Sequence, residues 1–162
     1  MTTVQQSGLI TNGHVAIWST TGVIQDGGAL PAAARVLTSI RSANFNTTND
    51  QPMAIPQRVT AFQLLGLLVT NASISLTTAA GGVYPTAGKT GVPIVEATQG
   101  YTMLSSSAFL LNLTLSSFGQ NTRFSSANLG TIAGFLNLWF SLTTAQGAPC
   151  TADVYAIGLD LT

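Results

Sequence analysis

Hydrophobic and polar positions alternate with a period of two along most of the chain. The alternation is clearest where Phe109, Leu111, Leu113 and Leu115 interleave with Leu110, Asn112, Thr114 and Ser116. That pattern predicts a strand with one buried face. A second strand is predicted where Leu136, Leu138, Phe140 and Leu142 face one way and Asn137, Trp139 and Ser141 the other. A third sets Tyr155, Ile157, Leu159 and Leu161, as the buried face, against Ala156, Gly158 and Asp160. Upstream, Ala34 to Ala43 reads as extended with Val36, Thr38 and Ile40 on one face. Arg58 to Leu76 reads as extended too, long enough to bend or to divide near Gly66 or Asn71. Shorter candidates are His14 to Trp18, Val92 to Ala97, Tyr101 to Leu104 and Thr122 to Ser125.

Helical periodicity is rare, and Glu and Lys, the usual surface helix formers, are nearly missing. At most one short helix fits, around Ala29 to Val36 or near Ala127 to Ala133. Turn chemistry punctuates the strands at Asp26-Gly27-Gly28, Thr47 to Asp50, Gly81-Gly82, Gly88 to Gly91, Gly119 to Asn121 and Gln146-Gly147. Short to medium strands with glycine turns predict an all-β fold, an antiparallel β-sandwich or barrel, of which the sandwich is preferred. SLTTAAGG at 75–82 echoes SLTTAQGA at 141–148. This reads as repeated turn chemistry at corners of two sheets, with duplicated halves of the sandwich as the alternative.

Residues 1–30 differ in character. Val15 to Trp18 and Val23-Ile24 are brief apolar pieces separated by Thr20-Thr21-Gly22, too short to form a core alone. They predict an extended N-terminal arm, followed by a sandwich over 31–162. The arm needs a partner surface, either the domain itself or a neighbouring chain. Trp139 matters for the same reason: it lies between Leu138 and Phe140, so its strand is apolar on both faces, and the second face calls for cover from another subunit or the arm. Val15, Ile17, Trp18, Val23, Ile24 and Trp139 are therefore the candidate interface residues.

Composition sharpens this picture. The chain has 162 residues with five Lys/Arg and five Asp/Glu, so only 6% are charged and the formal net charge is zero, while 46% are apolar. Intrinsic disorder, which pairs low hydrophobicity with high net charge, is excluded. Five cations spread from Arg35 to Arg123 form no patch for phosphates, which argues against nucleic acid as a partner. Ser and Thr supply 37 positions, giving a neutral hydroxyl-rich coat that tolerates dense packing beside copies of itself. Nothing at the start resembles a secretory signal. The longest apolar run, Leu64 to Val69, is about a third of what a spanning helix needs, so manufacture in a cytoplasm and no membrane insertion are expected.

Candidate chemistry is sparse. His14 is the only imidazole and reads as a turn residue; Cys150 is the only thiol and reads as a passive residue near the start of the last strand. Asp26, Asp50, Glu96, Asp153 and Asp160 are well separated and suit solubilising or turn-capping roles; Asp26 suits a tight turn and Asp153 a pair with an arginine. No catalytic residue, cofactor or metal site is expected, and the chain is not expected to be an enzyme.

Three segments carry a resemblance: NGHVAIWSTTGVIQDGG at 12–28, VTNASISLTTAAGGVYPTAGKTG at 69–91 and SLTTAQGAPCTADVYAIGLDL at 141–161. Together they resemble small virion structural proteins of tailed bacteriophages and prophages. The first is similar to the short leader of phage head-decoration and fibre proteins, the other two to the body of a compact jelly-roll-like β domain. The resemblance implies a capsid cement or decoration protein on the outer surface of the head shell, made in the host cytoplasm. Its partners would be the major capsid protein and further copies of itself, as a dimer or trimer. The alternative it implies is a tail fibre or spike component, or a receptor-binding module for a glycan.

Overall fold

A computed structural model describes residues 5–6, 14–18, 23–29, 34–105 and 110–162, the first three of these as backbone strands. Two compact units divide the chain, Met1–Ala33 and Ala34–Thr162. In the first, β1 (Gln5–Gln6), β2 (His14–Trp18) and β3 (Val23–Ala29) form a three-stranded sheet with β3 in the middle, parallel to β1 and antiparallel to β2. The segment expected as an extended arm thus carries a sheet of its own. Asp26-Gly27-Gly28, expected as a turn, lies inside β3. The register there passes from His14↔Ala29 to Ala16↔Asp26, so the glycine pair occupies a bulge, where an extra residue must be accommodated.

The second unit is an all-β antiparallel sandwich. Its strands are β4 (Ala34–Asn44), β5 (Gln51–Ala54), β6 (Ala61–Thr70), β7 (Ala80–Tyr84), β8 (Leu110–Leu113), β9 (Arg123–Ser125), β10 (Thr131–Ile132), β11 (Phe135–Thr144) and β12 (Thr151–Asp160). The five-stranded sheet runs β4-β12-β6, with β8 and β9 sharing the far edge of β6. In the four-stranded sheet β11 is central, with β5 on one edge and β7 and β10 on the other. Val95 bridges Val83 on one side and Leu115 on the other, so the chain just beyond β8 crosses to the second sheet. At the opposite edge the Thr38 hydroxyl donates to the Ala54 carbonyl at 2.7 Å, linking β4 to β5.

Between the sheets lies a core in which Phe45, Met53, Ile55, Phe62, Leu67, Val69, Leu138 and Phe140 are fully buried. Phe45 packs edge-on against Tyr101 with ring centroids 5.1 Å apart, and Phe62 stacks on Phe124 at 5.4 Å. The inward phase of β11 is the expected one, Leu136, Leu138, Phe140 and Leu142. Leu113 and Leu115 are also buried as expected; Phe109 lies outside the described residues.

Two phases differ from expectation. In β12 the buried residues are Ala152, Val154 and Ala156, while Tyr155, Ile157 and Leu159 point outward. In β4 Thr38 is buried and Ile40 packs on the core, as expected of one face, but the register passes from Ala156↔Thr38 to Ile157↔Val36, so Leu37 is a bulge residue that enters the core and Val36 turns outward, 54% exposed. Leu37 packs inward over Gly158, which has no side chain to block it. A Cβ on Gly158 would sit 2.3 Å from the Gln63 carbonyl oxygen and 2.5 Å from Leu37 Cδ1.

Long β6 stays a single strand. Opposite it, the register jumps from Ile157↔Gly66 to Gly158↔Leu64, which leaves Leu65 as a bulge residue, and the chain turns away at Asn71 with φ 56°. Both suspected division points therefore have a structural counterpart. The one helix among the described residues, α1 (Ser117–Asn121), falls at neither expected place. Ala34 to Val36 belongs to β4, and 127–133 holds a turn and β10. Ser116 caps α1 by accepting the Gly119 N–H at 3.1 Å. Val92 to Ala97 and Tyr101 to Leu104 contribute only isolated bridges or turns, whereas Thr122 to Ser125 yields β9.

The echoed segments meet each other. Leu142 pairs with Gly81 and Thr144 with Ala80, across β11 and β7. They are not equivalent in structure: 141–144 ends a strand, whereas 75–79 is the loop that leads into one. Gly81 is required for this contact, since a Cβ would lie 2.3 Å from Leu142 Cα, while Gly82 permits a second one, its Cβ falling 2.2 Å from the Val95 carbonyl oxygen.

Candidate functional site

Catalysis or ligand binding would gather the charged groups. Instead Asp50, Asp153 and Asp160 each fasten separate segments of the sandwich unit. Asp50 accepts from the Ser141 hydroxyl and the Gly88 N–H, with the Lys89 ammonium 3.8 Å away. Burial pushes its carboxyl up, but those two hydrogen bonds and the nearby ammonium prevail and hold it below the ordinary carboxylate range. Lys89 also donates to the Thr48 carbonyl at 2.6 Å, so the cluster ties the 45–50 loop to the 85–91 loop and to β11.

Asp153 meets an arginine, as the sequence suggested: Arg41 Nη1 donates to Oδ2 at 2.9 Å, and the guanidinium also lies 4.8 Å from the centre of the Tyr155 ring. The Ser42 N–H, then Asn71 Nδ2 and Arg41, hold this carboxyl below its usual range against a smaller desolvation effect. At Asp160, burial is outweighed by the Thr162 hydroxyl and N–H and by Arg35. Among the described residues no three His, Cys, Asp or Glu side chains converge as metal ligands would. Cys150 is buried, with its sulfur 3.7 Å from the Ser73 hydroxyl.

Two depressions lie on the sandwich unit. One, of about 320 Å³, is lined by Glu96, Thr98, Gln99, Gly100, Thr114, Leu115 and Ser116. It is polar and open and has no aromatic platform of the kind a sugar ring stacks on. The other, about 160 Å³, lies among Gln57, Val59, Thr60, Ser126, Gly134 and Leu136. Neither contains a pair of titratable groups.

Of the candidate interface residues, Val15, Ile17 and Trp18 lie on β2 and Val23 and Ile24 on β3, where the description extends to backbone pairing alone. Trp139 is half-buried on the outer face of β11, in register with Pro52 on one side and Tyr84 on the other. The Gly130 backbone packs over its ring edge, held there by the Gly130 N–H to Pro85 carbonyl bond of 2.9 Å. Its indole N–H is buried without a protein partner. Burial, followed by Glu96 and Asp50, raises the neighbouring Tyr84 hydroxyl above its ordinary value. Loop backbone of the same unit thus lies against the indole edge.

A larger apolar surface lies on the other sheet. Val36 and Ile157 share one row across β4 and β12, which meets β6 at Gly66 with the bulge residue Leu65 beside it, and Tyr155 and Leu68 share the next. Leu110 of β8 extends it beside Thr70. Val36, Leu65 and Leu110 are each more than half exposed, and Tyr155, Ile157, Leu159 and Leu68 are half-buried. The sequence signal was present in the uninterrupted apolar run of β6 and in the Tyr155-Ile157-Leu159 alternation; what concealed it was the assumption that the larger side chains of β12 face inward.

Neither a protein-family model nor a curated protein matches this chain. No helix among the described residues is long and apolar enough to cross a membrane.

Proposed function

We propose that this chain is a structural component of a virus particle, a cement or decoration protein that attaches in many copies to the outer surface of a tailed-phage head shell, with a sandwich of the jelly-roll-like kind. The observation that carries the reading is the apolar outer face of the five-stranded sheet, with Val36 54%, Leu65 51% and Leu110 57% exposed. A monomer of this size gains nothing from such a face, and contiguous exposed apolar surface marks contact with another macromolecule. Support also comes from the neutral hydroxyl-rich composition and from aspartates committed to fastening strands. The particular setting, a phage head, rests on the resemblance of 12–28, 69–91 and 141–161 to phage virion proteins.

In this reading the work is contact. Each copy adds a modest interface, and many copies sum to a large stabilisation of the shell. Purified protein added to undecorated heads should bind and raise their disruption temperature. Absence of both effects would remove the cement reading. Attachment to host cells in place of heads would point to a tail fibre or a receptor-binding module.

A further inference from the structure

We infer that the outer face of the five-stranded sheet is an interface between two copies of this chain, stacked sheet to sheet about a two-fold axis. The inference rests on the assembly reading above and names the occupant of the face it identified. A two-fold contact needs a surface that complements itself. The middle of this face bears Val36, Ile157, Leu65, Tyr155 and Leu68, the mixture of aliphatic and aromatic groups that fills the space between the two sheets within the unit. Stacking a second five-stranded sheet at about 10 Å repeats the packing that the inner face already makes.

Charge permits it. Arg41 and Asp153, at one end of the face, are paired with each other at 2.9 Å, so a second copy meets a neutral unit, and the chain as a whole carries no net charge. Area permits it as well. Three strands of ten or eleven residues abreast, with β8 and β9 sharing a fourth position, give a planar footprint of about 600 Å². Side-chain relief raises that towards the roughly 800 Å² per partner of a standard stable interface.

Sedimentation of the full chain at micromolar concentration, with Val36→Asp/Leu65→Asp and a control Val92→Asp, tests this. Val92 is 58% exposed and does not belong to the five-stranded sheet. The wild type and the control should sediment as dimers or multiples of dimers, and the double variant as a monomer with its melting temperature within a few degrees of the wild type. Should the double variant not fold, Val36→Thr/Leu65→Thr should still weaken association at least about tenfold. A monomeric wild type, or association that survives every change on this face, overturns the inference and hands the copies' contacts to another surface. The same samples added to undecorated heads separate the two readings: wild type that binds heads although its association ignores Val36 and Leu65 defeats the interface alone. Dimers that dissociate on substitution but never bind heads defeat the cement reading alone.

Discussion

The carboxylate of Asp153 accepts the backbone N–H of Ser42 at 2.8 Å. Ser42 sits in the left-handed region with φ 55°, at the point where β4 places Arg41 and Ser42 opposite the single residue Asp153. A bulge frees a ladder N–H, and here the central strand itself supplies the acceptor. The same side chain accepts Asn71 Nδ2 at 3.0 Å, and Asn71 is also left-handed, at the end of β6. One carboxylate therefore fixes two unusual backbone conformations on the two strands that flank β12.

Asp153→Ala should cost about 1–3 kcal/mol, because the Ser42 and Asn71 donors lose their acceptor. The sign of the pH effect follows from the depressed carboxyl: its stabilisation is fully present above the unfolded-chain value near about 4 and is lost as pH falls through the lower folded value. Urea unfolding between neutral pH and pH 2 should show the variant and the wild type converging in acid. Parallel curves would disprove the clamp.

Gly82→Ala should destabilise by about 1–3 kcal/mol or more, since the new methyl meets backbone on a neighbouring segment and no flexible side chain can yield. Gly100→Ala, where a Cβ has open space, is the control. Equal melting temperatures for the two variants would contradict the close approach of β7 to Val95.

Gln146 joins the echoed segments. Its Oε1 accepts from the N–H groups of Thr77 and Thr78 at 3.0 and 3.2 Å and, more weakly, from Ala79, while Nε2 donates to the Thr77 hydroxyl at 2.9 Å. Gln146→Ala should cost about 1–3 kcal/mol through orphaned donors and speed amide exchange at 77–79. Unchanged exchange there would show that the side chain is dispensable.

Cys150 should react with an aromatic disulfide reagent more slowly in the native protein than in denaturant, by roughly 100-fold or more, because opening of the buried site must come first. Rapid reaction under native conditions would mean that the start of β12 opens readily.

Legibility followed side-chain size. β11 and the 111–115 segment were read correctly because their inward positions carry Leu and Phe and their outward positions are mostly polar. β12 was inverted because its inward positions carry Ala152, Ala156 and Gly158 while Tyr155, Ile157 and Leu159 face out. A rule that places the larger apolar group inside fails where a sheet is apolar on both faces. The same rule singles out Trp139 and passes over Val36 and Leu65, which are more exposed. Five-residue α1 has no period to detect; its sole local signal is Ser116, a capping residue followed three positions later by the Gly119 N–H that it accepts. The Asp153–Arg41 pair was legible in kind only, since a β bulge more than a hundred residues away decides which arginine arrives.

The placement of β12 between β4 and β6 has a kinetic meaning. The first strand of the sandwich unit finds its ladder partner only in the last, with Arg35 joined to Asp160 across 125 residues of chain. Such long loops must close before the sheet yields any stabilisation, which slows folding. A ribosome releasing this polypeptide must therefore hold back an unfinished sheet, with β4 and β6 lacking a common neighbour, until Thr151–Asp160 emerges. Completion of the sandwich thus waits on this one strand.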